Sequence, residues 1–272
     1  MATLPSHETQ LSGDIAVATG SGMKGIILAG GLGTRLAPLT KITNKHLLPI
    51  YDKPMIFYPI QTLLDAGVRN LLIVTGGNNA GDFLRLLGNG SAFDLPHVNY
   101  TYQEGEGGIA DALRLAEHFA GGEKIVVMLG DNVIEKDIRK GVAAFRRQKR
   151  GARVYLKEVA NPRAYGVAEL RGDRIVSIVE KPAHPKSNLA VIGVYMYDAA
   201  VFDIIRTLKP SRRGELEITD VNNAYIKRGE MAYDILDGWW ADAGASHEKL
   251  LETSLLVAQR DGMKSDALRG KS

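Results

Sequence analysis

Apolar residues in this chain fall into two patterns that take turns. Short unbroken runs at 25–28 (Gly-Ile-Ile-Leu), 71–74 and 125–129 have the form of strands buried on both faces. A weaker alternation at 98–102 reads as another short strand. Between them, apolar residues three and four apart predict helices over 55–66, 82–87, 109–119 and 138–148. Gly67 and Gly88 supply helix stops, and Pro54 suits a helix's first turn. The succession predicts an α/β fold, a mixed but mostly parallel sheet with helices on both faces and right-handed crossovers. From 153 the rhythm changes. Strands at 153–159, 166–170, 175–179 and 191–197 crowd together, two of them joined by the hairpin signal Gly172-Asp173. They read as a smaller β subdomain, covered by helices over 199–208 and 219–228, with a last helix at 246–259. One domain is expected over 23–260, in parts of about 23–150 and 151–245, with a frayed tail at 261–272. Gly20-Ser21-Gly22 before Met23 reads as a linker, so 1–22 is expected to be an expression-added extension or a disordered native arm.

The first strand runs into Gly30, Gly31 and Gly33, followed at once by Thr34-Arg35-Leu36. Glycine lets backbone N–H groups turn inward and approach a bulky anion, and arginine's fork of donors suits phosphate oxygens. The stretch therefore reads as a phosphate-gripping loop at a strand's carboxyl end, with a plain strand-to-helix turn as the bland alternative. A dinucleotide fingerprint would need glycine where Leu36 stands and an acid closing the second strand, which instead ends Thr75-Gly76-Gly77. The Gly-Lys-Ser/Thr ending of a P-loop is also absent. Pro38 and Leu39-Thr40 carry the loop onward to Asn44-Lys45-His46, which brings a second cation within reach.

Composition narrows the classes. At 272 residues, 45% apolar and 24% charged, the chain is ordinary for a soluble globular enzyme. Without cysteine it has no disulfide, thiolate nucleophile or zinc–thiolate site, which fits the cytoplasmic location we expect. A net charge of +3 is too mild to argue for nucleic acid. The densest basic run, Arg146-Arg147-Gln148-Lys149-Arg150, sits where a helix should end and reads as a solvated face favoured by the helix dipole. No apolar run approaches the ~20 residues of a bilayer span, and the start, with Glu8 and Asp14, lacks the layout of a signal peptide.

The segment LAGGLGTRL at 28–36, followed by NKHLLPIYDKPMI at 44–56, resembles the nucleotidyltransferases that join sugar 1-phosphates to nucleotides. Further segments carry the resemblance from about 23 to 260: LGDN at 129–132, YGVAEL at 165–170, VEKP at 179–182, KPSRRGELEITDVNNAYIKRG at 209–229 and GWWADAG at 238–244. They narrow it to the short thymidylyltransferase branch acting on glucose 1-phosphate. The resemblance implies a Rossmann-like nucleotidyltransferase fold whose smaller β subdomain binds the sugar. It implies dTTP and glucose 1-phosphate as partners, magnesium as cofactor, and a homo-oligomer, dimer or tetramer. The product, dTDP-glucose, would feed deoxysugar or cell-surface polysaccharide synthesis. A uridylyltransferase, a transferase for another sugar 1-phosphate and a non-catalytic nucleotide sensor are the alternatives.

Joining two polyanions calls for cations and a metal more than for a base, because the attacking phosphate oxygen is already ionised. Asp131 closes a buried strand beside Gly130, where a carboxylate faces a ligand crevice; Asp242 is the natural second carboxylate. In the family these two hold magnesium, although by residue type alone Asp131 is also a helix cap and Asp242 a turn residue. The resemblance further implies catalytic roles for Arg35 on the triphosphate, Lys45 between the two phosphates and Lys181 on the sugar phosphate. It assigns nucleotide contacts to Leu28, Ala29, Gly30, Gly31, Gly33 and Thr34, and base recognition to Gln103 and Gly108, which otherwise read as a polar loop. A glutamine amide donates and accepts at once, and Gly108 admits a close backbone approach. Asn132, Gly166, Glu180, Val191, Tyr195, Arg213 and Trp240 fall at sugar-phosphate positions. Taken alone, Glu180 is an ordinary ion-pair partner, Arg213 a solvated charge and Trp240 core packing. His46 departs from the glutamine of many longer members, and the helical extension that supports a second nucleotide site in those members is not expected here.

Overall fold

In the computed structural model the run Lys24–Ala29 forms β1, and its side chains alternate between two cores. Ile26 and Leu28 face one, Ile27 and Ala29 the other, and all four are buried. A strand covered on both sides has no face to give to polar residues, hence the unbroken apolar run. The structure describes residues 22–77 and 79–262, so the readings made of 1–21 and 263–272 lie outside the described residues.

After β1 come the two-residue strands β2 (Pro49–Ile50) and β3 (Lys53–Pro54) and then α1 (Phe57–Asp65), β4 (Leu71–Gly76) and α2 (Ala80–Leu87). Next are β5 (Val98–Gln103), α3 (Ile109–Arg114), α4 (Glu117–Ala120), β6 (Ile125–Leu129), β7 (Asn132–Ile134) and α5 (Arg139–Arg147). The second half runs β8 (Ala152–Glu158), β9 (Gly166–Arg171), β10 (Arg174–Glu180), β11 (Leu189–Tyr197), α6 (Ala200–Thr207) and α7 (Ile218–Lys227). It ends with β12 (Met231–Ile235), β13 (Trp240–Asp242) and α8 (His247–Arg260).

The sheet is mixed, as expected: β6-β1-β4-β5 is parallel, and the long strand β11 joins it antiparallel to the second-half strands. β11 pairs with β8 along most of its length and with β9 at Ala190, then with β6 from Val194 onward. Helices cover both faces. α3, α6 and α7 pack on the Ile26 side, and α1, α2 and α5 on the Ile27 side. Each fully buried aliphatic side chain there contributes ~2 kcal/mol. A third cluster, with Ile50, Val133, Ala243 and Val257, seats α8 against the ribbon that β7 makes with β13.

Several boundaries differ from the pattern reading. The helix expected over 109–119 is two: α3 and α4 meet at a tightened turn where Leu115 N–H donates to Ala112 and Ala116 N–H to Leu113. Ala112, Leu113, Ala116 and Ala120 all remain buried through this bend, so the packed stripe overrode helical continuity. Pro54 belongs to β3, and α1 starts at Phe57. The ribbon strands, three residues each, are too short to show a period, and β12 is only partly buried along its length, so it presents neither an apolar run nor a clean alternation.

Candidate active site

Two loops leave adjacent parallel strands at the same edge. One is the glycine loop after β1; the other is Gly130-Asp131 after β6, held by Gly130 N–H donating to Leu28 O at 2.9 Å. Strand order reverses here, where open α/β sheets place ligands. The stretch after the glycine loop folds back beneath it. Asn44 caps a single helical turn, its Oδ1 accepting from His46 N–H at 3.0 Å, and so points Lys45 inward. The lysine stem passes under Gly33, whose φ of +68° and lack of Cβ make room; a Cβ there would sit 2.8 Å from Lys45 Cβ.

Lys45 Nζ meets Asp131 Oδ2 at 2.5 Å with both side chains largely buried. The other carboxylate oxygen, Oδ1, accepts from Asn132 Nδ2 at 3.1 Å. Asn132 Oδ1 in turn accepts from Gly193 N–H at 3.0 Å and Trp240 Nε1–H at 2.7 Å. Asp242 enters through the ribbon, where it pairs with Asn132, while Ala243 N–H donates to Asp131 O at 2.9 Å. Gly244 completes the close approach: a Cβ there would lie 2.5 Å from Asp131 Oδ2 and 2.9 Å from Lys45 Nζ.

The charges are tuned by this packing. Burial opposes ionisation of Asp131, but Lys45 and the hydrogen bonds overcome it and hold the carboxyl well below the usual range. Burial first, and the negative Asp131 second, push Asp242 upward. Burial also opposes the charge on Lys45, yet Asp131 and then Asp242 outweigh it, so its pKa is raised. Two carboxylates gathered on one ammonium leave a net negative charge. An oxygen-only pair of this kind fits a magnesium ion that takes its remaining ligands from phosphate and water. No group of three or more His, Cys, Asp or Glu able to hold a metal exists among the described residues, so these two would hold it alone.

A scan against family models matches residues 24–260 to Nucleotidyl transferase. The chain belongs to the nucleotidyl transferase family. It is an enzyme, and relatives named glucose-1-phosphate thymidylyltransferase match most of it. That from Actinoplanes sp. is 44% identical over 225 residues, covering 82% of this chain and 74% of the relative. That from Mycolicibacterium smegmatis is 43% identical over 252 residues, 90% and 86% of the two chains. A provisionally named glucose-1-phosphate thymidylyltransferase from Bacillus anthracis, solved with a sucrose, superposes with a TM-score of 0.82 at 49% identity, covering 86% of this chain and 94% of that one. UDP-glucose pyrophosphorylase complexed with UDP-glucose gives 0.78 at 28% identity, with 88% and 99% covered.

Around the Lys45–Asp131–Asp242 cluster the other expected residues are distributed unevenly. Leu28 and Ala29 end β1, and Gly30 is buried against Gln103, with room for a Cβ only 2.7 Å from Gln103 Oε1. Gln103 closes β5, and its Nε2 donates to Asp111 Oδ2 at 3.0 Å and Gly108 O at 3.3 Å. Gly108, with φ +93°, packs on the Leu216 backbone, and Leu216 bridges back by N–H to Gly107 O and by C=O to Ala110 N–H. Thr34 and Arg35 are exposed, and Arg35 has no carboxylate at ion-pair distance among the described residues. Its charge still reaches both Lys45 and Asp242.

A second cluster gathers Gly166, Glu180 and Thr219, with Thr219 Oγ1 donating to Glu180 Oε2 at 2.7 Å. Val191 and Tyr195 are buried on β11, and the Tyr195 hydroxyl is pushed up by burial and then by the charges of Glu180, Asp131 and Asp242. Trp240 stacks edge-on with Tyr165 at 5.0 Å, and Tyr165 O accepts from Lys181 N–H at 3.0 Å. Lys181 itself is exposed at φ +43°, in no ion pair among the described residues. Arg213 is held by Glu217 at 2.8 Å and Glu215 at 3.2 Å, with Glu180 at 3.9 Å. Sequence reading missed Gly193, Gly244 and Thr219, and the Asn44–His46 pair as support for Lys45. The two glycines carry no periodic signal; only the space they vacate reveals them.

Proposed function

We propose that this protein transfers a thymidylyl group from dTTP to glucose 1-phosphate, giving dTDP-glucose and pyrophosphate, with magnesium. The observation that carries the reading is the buried Lys45–Asp131–Asp242 group beneath a glycine loop, an arrangement suited to joining polyanions. The names of the relatives favour thymidine and glucose. A sugar-phosphate oxygen attacks the α-phosphorus; that P–O bond forms as the bridging bond to the β-phosphate breaks, and pyrophosphate leaves with the electron pair. No base is needed. Lys45 draws the two anions together, Arg35 takes charge accumulating on the leaving pyrophosphate, and the backbone of Gly30 to Gly33 orients the triphosphate. Magnesium, when bound to Asp131 and Asp242, supplies charge neutralisation at the reacting phosphates.

On the base side, Asp111 and Gly108 occupy the Gln103 amide N–H groups and leave Oε1 as an acceptor. An acceptor suits the N3–H of thymine or uracil and refuses cytosine, whose N3 is itself an acceptor. Uracil is therefore the second reading, favoured also by the likeness to UDP-glucose pyrophosphorylase. Lys181 and Arg213 would complete the sugar-phosphate grip, and Glu180 would accept from sugar hydroxyls. The test is a matrix of dTTP, UTP and CTP against glucose, galactose and glucosamine 1-phosphates, read by product mass. Fastest turnover is expected for dTTP with glucose 1-phosphate; no product in any cell of the matrix overturns the activity.

A further inference from the structure

β10 is an edge strand of the sheet, paired with β9 alone and bulged between Ile175 and Ser177. An edge strand leaves the main-chain groups of alternate residues unpaired, so only β9 and the core contacts of Ile175 and Ile178 hold β10 from one side. Here one side chain of α7 takes the place of the missing strand. Ile178 N–H donates to Asn223 Oδ1 at 3.0 Å, and Asn223 Nδ2 donates back to Ile178 O at 2.8 Å. An asparagine amide has the donor and acceptor of a peptide unit, so the pair closes as a strand partner would. Two residues on, and on the same face of β10, stands Glu180, whose Oε2 accepts from Thr219 Oγ1. Thr219 and Asn223 are one turn apart on one face of α7. Glu180 is thus gripped at its tip by one residue of the helix and through its own strand by the other.

We propose that Asn223 is a positioning residue for the sugar-hydroxyl subsite: by anchoring the free edge of β10 to α7 it holds Glu180 at the height where a sugar hydroxyl meets it. The inference deepens the proposed function and rests on the reading of Glu180 as a hydroxyl acceptor. Asn223 touches no substrate; it acts through β10. Its amide replaces main-chain pairing, so the contribution is geometric and falls on one substrate.

The test is steady-state kinetics on the full chain with dTTP and glucose 1-phosphate, magnesium present. Asn223→Ala is expected to raise KM for glucose 1-phosphate about tenfold while KM for dTTP stays within about twofold, since two neutral hydrogen bonds place one of the groups that bind the sugar. Asn223→Asp keeps the acceptor for Ile178 N–H but sets a carboxylate oxygen against Ile178 O, and serves if the alanine variant folds poorly; a rise confined to the glucose 1-phosphate KM is again expected. Combined with Glu180→Gln, Asn223→Ala is expected to add less than its separate effect. Equal rises in both KM values, or full additivity with Glu180→Gln, would overturn the proposal. Hydrogen exchange at the Ile178 amide, measured without substrates, reads the clamp alone. Lost protection in Asn223→Ala is expected, and unchanged protection would overturn the clamp. Wild-type protein inactive across the whole matrix would sink the proposed activity and the substrate half of this inference, while the exchange result still decides the anchoring.

Discussion

Asp131 and Asp242 are the residues on which the chemistry turns, and their environments differ in a way a substitution can read. Replacing either by asparagine removes a negative charge from a pocket packed around it with little change of shape. Asp131→Asn and Asp242→Asn are each expected to lower kcat by about 10²- to 10⁴-fold in a pyrophosphate-release assay; Asp242→Asn should keep the thermal midpoint within a few degrees of wild type, whereas Asp131→Asn, which leaves the buried Lys45 ammonium without its partner, should lower it. Chelation of divalent ions should abolish turnover and added magnesium restore it; chelator-resistant activity would remove the metal from the reading. His46 invites a different test. It is buried, with Nδ1 2.7 Å from Asn44 Oδ1, and burial first and Lys45 second push its pKa down to about 3. The unfolded chain takes up this proton near pH ~6.5 and the folded chain does not, so the stability His46 confers above that pH is lost as pH falls toward 3. One such group steepens the fall by about 1.4 kcal/mol per pH unit. His46→Gln is expected to flatten the unfolding free energy from urea titrations between pH 6 and pH 4 by that slope.

At the scale of elements, the short ribbon of β7 and β13 matters beyond its length. It is three residues on each side, yet it delivers Asn132, Asp242 and Trp240 to one place. Asn132 is its pin: Asn132→Ala would leave Gly193 N–H and Trp240 Nε1–H without partners and take one hydrogen bond from Asp131. The expected cost is ~2–4 kcal/mol of stability by chemical denaturation, with kcat falling by at least tenfold; loss of stability without loss of kcat would make Asn132 a structural residue only. The basic run at the end of α5 is less solvated than its composition implied: Arg146 donates to Gly67 O at 2.8 Å and Arg150 pairs with Glu230 at 2.9 Å. Lys124 Nζ reaches the carbonyls of Phe145, Arg146 and Gln148, so a cation does close that helix, but it comes from outside the run at 146–150.

At the scale of the molecule, β11 is the seam. Its amino end pairs with β9 and its carboxyl end with β6, so one strand carries Val191 and Tyr195 from the second half to the β6 edge where Asp131 sits. The Leu216 bridge to Gly107 and Ala110 ties the loop bearing Arg213 to the segment after Gln103. Both substrates would therefore be met by one continuous sheet. Homo-oligomerisation remains a proposal, and light scattering decides it: a mass at least twice the 29.5 kDa of one chain is expected, and a monomer at micromolar concentration would remove it. No helix among the described residues is long and apolar enough to cross a membrane.

Local pattern determined most of the elements, because the period of burial is written into each run: 25–28, 71–74 and 125–129 are continuous apolar strands since both their faces are covered. The glycine loop and its arginine were equally legible, being contiguous. What the sequence by itself left open is who meets whom. Lys45 and Asp131 are 86 residues apart, Asn132 and Trp240 are 108 apart, and Arg213 sits among three carboxylates where residue type alone gave a solvated charge. Those pairings exist because packing of both sheet faces closes long loops, and the entropy of closure is met by burial spread over the whole core rather than by any residue in the pair. Periodicity reports which face of an element is buried; only the assembled sheet sets which edges and loops come to share a pocket.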